Sequence, residues 1–135
     1  RQRQMCIRDS YKMTIPEIFA KGGESLFRDY EHEIAHQVCG LGPSVISTGG
    51  GMLTFDRNGE ILEKSGTIFY IDRPFEDCYR NLALHPERPL FKNHTKEEIK
   101  NTYLTRRGLY KKYAKHAIPN TKGPQDAVTI ICNLL

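Results

Sequence analysis

The residues best suited to chemistry in this chain are a few arginines and one run of glycines. Gly49, Gly50 and Gly51 follow the β-prone run Val45, Ile46, Ser47, Thr48. Such a run either lets the main chain approach a ligand closely and offers N–H groups to an anion or hydroxyl, or is simply a tight flexible turn. Arg28 and Glu31 stand three residues apart and share one flank of a helix, the spacing of an ordinary surface ion pair. Arg106 falls where the pattern Ile99, Tyr103, Tyr110, Tyr113 calls for an apolar residue. Its guanidinium either snorkels to solvent or points into a cleft to meet a carboxylate or phosphate. Arg88 lies between Pro86 and Pro89, placed to offer a cation to phosphate from a loop or to be an ordinary solvated side chain. His32, Glu33 and His36 match the H-E-x-x-H pattern of a zinc metallopeptidase. Helical geometry sets the two imidazoles far from the apolar stripe, on a face expected to meet solvent, and neither Glu60 nor Glu63 sits in a motif for a third ligand.

The elements that must position these residues alternate in type. Thr14, with Pro16 and Glu17, predicts a capped helix start, and Gly22 and Gly23 end that first short helix. Leu26, Tyr30, Ile34 and Val38 then recur every four residues and predict a longer helix over 24–39 with one buried stripe. Residues 45–48 predict a strand, 56–64 a polar helix, and 67–71 a continuous apolar strand buried on both faces and closed by Asp72. Pro74 opens a further helix, 85–94 reads as a loop, and Thr95 with Glu98 caps a long helix. A short strand at Ala117 and Ile118 and a helix over 126–135 complete an α/β pattern with a parallel sheet and flanking helices.

Composition agrees with one soluble domain. The chain has 135 residues, 39% of them hydrophobic and 27% charged, and 20 Lys and Arg against 16 Asp and Glu. That is too apolar for a disordered polyelectrolyte, and no run approaches the roughly 20 apolar residues of a membrane span. The first ten residues have no apolar segment of a secretory signal, so the expected location is the cytoplasm. The four scattered cysteines predict reduced thiols, and the interleaved charges favour an anionic small molecule over nucleic acid or a membrane.

Taken in order, Thr14-Ile15-Pro16-Glu17-Ile18-Phe19, Gly23-Glu24, Phe27-Arg28 with Glu31, Val45 to Gly51, the strand ending in Asp72, Arg88-Pro89-Leu90, and Arg106 four residues before Tyr110 resemble shikimate kinase. The resemblance implies the P-loop kinase fold, of the nucleoside-monophosphate-kinase type. It also implies ATP- and Mg²⁺-dependent phosphorylation of the shikimate 3-hydroxyl on the way to chorismate and aromatic amino acids, by an enzyme monomeric in the intact family. It further implies substrate binding by Arg28, Glu31, Gly49, Gly50, Gly51 and Arg106, with Arg88 as the lid arginine over the phosphates.

Two departures qualify these expectations. No Gly-Lys dipeptide occurs, so the G-x-x-x-x-G-K-[ST] phosphate loop is not found, nor is the later D-x-D pair, and Gly108 stands where the family usually has Pro. The expected organisation is a non-family segment over residues 1–10 followed by a partial shikimate kinase domain over 11–135, truncated at its N-terminus. On that reading kinase activity is impaired, and the alternatives are a catalytically dead shikimate-binding module or the zinc metallopeptidase.

Overall fold

The computed structural model describes residues 7–84 and 94–135, in two compact units, Arg1–Gly66 and Thr67–Leu135. In the first unit α1 (Ile7–Tyr11) precedes α2 (Ile15–Cys39). Thr14 caps α2 as its sequence requires: Glu17 N donates to Thr14 Oγ1, and Glu17 Oε2 accepts from Thr14 N at 2.6 Å. The expected break also appears. Gly23 has φ 66° and ψ −160°, a left-handed departure that glycine adopts at little cost, and it kinks α2.

Beyond the kink, Ile34, Ala35 and Val38 are buried, together with Ile18, Met52, Leu53 and Leu62. These side chains come from α2, from a 3₁₀ turn at Met52–Thr54 and from α3 (Asp56–Ser65), and they form the core of the first unit.

The expected strand over 45–48 does not form. Only Val45 makes an isolated bridge, it is 71% exposed, and the run joins no ladder among the described strands. A β-prone run becomes a strand only when neighbours take up its N–H and C=O groups, so propensity alone is not enough here.

The second unit holds β1 (Phe69–Asp72), α4 (Phe75–Ala83), α5 (Lys96–Tyr113), β2 (His116–Pro119) and α6 (Pro124–Leu134). The two strands pair in parallel, Phe69 opposite His116 and Asp72 opposite Pro119, with helices between them in sequence as a parallel connection demands. Thr95 and Glu98 form the expected capping box at the start of α5. Tyr113, Ile118 and Ala127 are the buried apolar residues described in this unit; β1 is not buried on both faces as expected, since Ile71 is exposed and its other residues are half-buried. No described helix is long and apolar enough to cross a membrane.

Candidate active site

The kink at Gly23 starts a new helical segment whose second turn carries Arg28 and Glu31. Arg28 Nη1 donates to Glu31 Oε2 at 2.6 Å, and Arg28 Nε and Nη2 donate to Glu24 Oε1 at 3.2 and 2.8 Å. The Arg28 and Glu31 side chains are only 12% and 8% exposed, so this is not the ordinary surface pair that spacing alone suggests. Burial disfavours the guanidinium charge, but the bonds to Glu31 and Glu24 outweigh it and hold the Arg28 pKa above its usual value. The Phe27 and Phe55 rings, 5.3 and 5.2 Å from the guanidinium carbon, complete its surroundings.

The glycine turn closes on the same group. Gly49 has φ 66°, and a Cβ placed on Gly51 would lie 2.8 Å from Arg28 Nη1 and 3.1 Å from Glu31 Oε1. The bare main chain is therefore what lets the turn reach this ion pair. The Gly51 carbonyl is pinned in turn by Thr54, which donates from Oγ1 at 2.6 Å and from N at 3.1 Å. Of the five N–H groups of Arg28, three are given to Glu24 and Glu31.

Arg106 belongs to the second unit. It lines a cavity of about 340 Å³ with Ile99, Tyr103 and Tyr110 of its own helix and with Tyr70 and Phe75. The helical period thus places it on the inward face, where it interrupts an aromatic wall. Burial raises the Tyr110 phenol, while the charge of Arg106 pulls it the other way. The structure brings Arg28, Glu31 and the Gly49, Gly50, Gly51 turn together within the first unit and sets Arg106 against a cavity of the second. Arg88 lies outside the described residues.

The H-E-x-x-H histidines take other roles. His32 is half-buried, not solvent-facing as expected, because α3 packs over that flank of α2 and Asn58 Oδ1 lies 2.8 Å from His32 Nδ1. His36 is exposed and its ring meets the edge of His32 at 4.8 Å. No group of three His, Cys, Asp or Glu side chains able to hold a metal occurs among the described residues.

Several residues of the site have only faint sequence signals. Glu24 stands one turn before Arg28, a spacing that foretells their pairing. Arg57 donates to the Arg28 carbonyl at 3.1 Å and to Asp29 Oδ1 at 3.0 Å, across 29 and 28 residues of sequence, which no local pattern reveals. Asn58 is fully buried, and nothing in a polar helix marks which polar residue turns inward.

Comparison with known proteins agrees with this architecture. A family model described as Shikimate kinase matches residues 4–135. The shikimate kinase of Clostridium botulinum (strain Eklund 17B / Type B) is 37% identical over 116 residues, which span 86% of this chain and 68% of the relative. That of Aquifex aeolicus is 36% identical over 116 residues, again 86% of this chain and 68% of the relative. Among solved structures, shikimate kinase from Acinetobacter baumannii in complex with shikimate superposes with a TM-score of 0.82 at 28% identity, covering 95% of this chain and 73% of that one. The Aquifex aeolicus structure gives a TM-score of 0.77 at 33% identity, covering 94% and 74%. With its parallel strands, flanking helices and this family match over nearly its whole length, the chain has the P-loop kinase fold and belongs to the shikimate kinase family.

Proposed function

We propose that this chain binds shikimate and serves the transfer of the ATP γ-phosphate to the shikimate 3-hydroxyl. The observation that carries the proposal is the Arg28 guanidinium, buried and held charged by Glu31, with the main chain of Gly51 so near that a Cβ there would displace the guanidinium. A small carboxylic acid bearing several hydroxyls suits such a place. The two remaining N–H groups of Arg28 meet its carboxylate. Glu31 Oε1, on the side of the Gly51 turn, accepts from a hydroxyl, and the glycine turn offers main-chain N–H groups to another. Arg106 of the second unit is proposed as a further substrate-binding residue, and Arg88 as the cation over the transferring phosphates. The Acinetobacter baumannii relative, whose structure holds shikimate, supports the choice of acid.

ATP supplies the phosphoryl group, and Mg²⁺ neutralises charge on it, in this chemistry. No group of three His, Cys, Asp or Glu side chains gathers among the described residues, and none of them is assigned to the metal. What they contribute is binding and orientation of the acid: Arg28 anchors the carboxylate, and Glu31 holds both Arg28 and a hydroxyl.

The test is to incubate the chain with shikimate, ATP and Mg²⁺ and follow shikimate 3-phosphate by ³¹P NMR. Product that disappears in Arg28→Ala supports the proposal. Shikimate binding without product identifies an acid-binding module with no turnover, and neither binding nor product refutes the assignment.

A further inference from the structure

We infer that Asn58 is a positioning residue for the Arg28, Glu31 and Gly51 site, and that His32 assists it as the neutral tautomer protonated on Nδ1 or as the imidazolium. What the site binds rests on the acid-binding proposal above; the geometry of the support does not.

Asn58 is 0% exposed. An amide in that position is costly unless its hydrogen bonds are made, and both ends of this one are occupied. Asn58 Nδ2 donates to the Met52 carbonyl at 3.0 Å, and Oδ1 lies 2.8 Å from His32 Nδ1. These two contacts fix the orientation of the amide and the protonation of the ring together. A main-chain carbonyl only accepts, so the NH₂ group must face Met52, which leaves the amide oxygen toward His32. An oxygen acceptor in turn requires a proton on Nδ1. The neutral tautomer protonated on Nε2 would set two lone pairs against each other and is excluded.

The sequence neighbours of these contacts turn a buried amide into a support for the site. Met52 is bonded directly to Gly51, and His32 directly follows Glu31. One side chain from α3 therefore fixes the separation between the glycine turn and the helix that carries the ion pair. That separation matters because Gly51 stands so near Arg28 Nη1 and Glu31 Oε1 that no methyl group fits between them. The neighbouring Arg57 reinforces the same junction by donating to the Arg28 carbonyl. An apolar residue at 58 could fill the space but would leave the Met52 carbonyl and the imidazole N–H without partners, free to move the turn.

The test combines ¹⁵N NMR of the full chain with shikimate titration. The neutral His32 ring should show a protonated Nδ1. His32→Leu removes the donor without burying new polar groups, and it should shift the Gly51 amide and Arg28 Nε resonances and weaken shikimate binding about tenfold, the effect of one unpaired polar group. His32→Gln, whose amide can donate in place of the ring, should return both resonances toward wild type and keep binding within about threefold. Asn58→Ser should resemble His32→Leu. A neutral ring protonated on Nε2, or Gly51 and Arg28 resonances indifferent to His32→Leu and Asn58→Ser, would overturn the inference. Resonances that respond while wild type itself fails to bind shikimate would uphold the positioning role and refute the acid-binding proposal.

Discussion

Arg107 grips Asp72 with two parallel hydrogen bonds, Nε to Oδ1 at 3.1 Å and Nη2 to Oδ2 at 2.7 Å, and so ties the middle of α5 to the C-terminal end of β1. Tyr70 Oη adds a third bond to Asp72 Oδ1 at 3.0 Å, and Lys111 Nζ lies 3.8 Å from Oδ2. The bonds from Arg107, against the opposing effect of burial, hold the Asp72 carboxyl below the usual carboxylate range, and the Tyr70 phenol is raised by burial and by Asp72. Because Arg107 adjoins Arg106, this clamp also sets the turn of α5 from which Arg106 reaches its cavity.

The clamp makes stability depend on pH in a definite direction. A carboxyl whose folded pKa is depressed contributes stability that is fully present above its unfolded value, about 3.9, and is lost as pH falls through the folded value. Asp72→Asn should cost about 1 kcal/mol at neutral pH, a modest figure because Arg107 is partly exposed and screened. It should also flatten the loss of stability below about pH 4. Urea unfolding of both proteins at pH 7 and pH 3 checks this, and parallel pH curves would contradict it.

Gly51→Ala separates binding from folding. Its methyl group would meet the end of the Arg28 side chain, which can swing away, so the fold should survive while the guanidinium leaves its place. We expect a melting temperature near wild type and shikimate binding weaker by about tenfold or more, the scale of a lost charge-assisted bond. Equal affinity, or a collapse of the melting transition, would show that the turn does not hold the ion pair as described.

Glu24 partly neutralises the guanidinium proposed to meet the ligand. It is the exposed partner of Arg28, with 58% of its side chain accessible, and its Oε1 accepts from Nε and Nη2. Glu24→Gln should therefore tighten shikimate binding by about two- to fivefold, the worth of an exposed i,i+4 charge pair. Titration at low and high salt would read the effect, which should shrink as salt screens the wild-type pair. Weaker binding in the variant would instead make Glu24 an orienting partner of Arg28.

The paired histidines should not hold structural zinc. With no third His, Cys, Asp or Glu gathered beside His32 and His36 among the described residues, the purified chain is expected to carry far less than one zinc per molecule by elemental mass spectrometry, before and after His36→Ala. Stoichiometric zinc lost on that substitution would revive the metallopeptidase reading.

Local rules made much of this molecule legible in advance. The capping boxes at Thr14 and Thr95 and the break at Gly23 follow from short-range periodicity and backbone chemistry, while the same periodicity leaves Arg106 open between solvent and a cleft. The parallel pairing of β1 with β2 follows from the alternation of elements. The run 45–48 misled because a strand needs a partner that propensity does not supply. His32 misled because a helical wheel knows only its own helix, and α3 covers the flank that looks solvent-facing. Asn58, Arg57 and the Arg107 clamp on Asp72 were invisible for the same reason, since each joins residues 26 to 35 apart in sequence. Arg28 and Glu31 were visible as a pair, but only their burial distinguishes them from a surface one.

The most direct test is calorimetric titration of shikimate into wild type, Arg28→Ala and Arg106→Ala under identical salt and pH. The account predicts saturable one-to-one binding by wild type and a loss of at least about tenfold in Arg28→Ala, as expected for removing a buried charge-assisted anchor. Wild-type affinity in Arg28→Ala, or no binding by the intact chain, would contradict it.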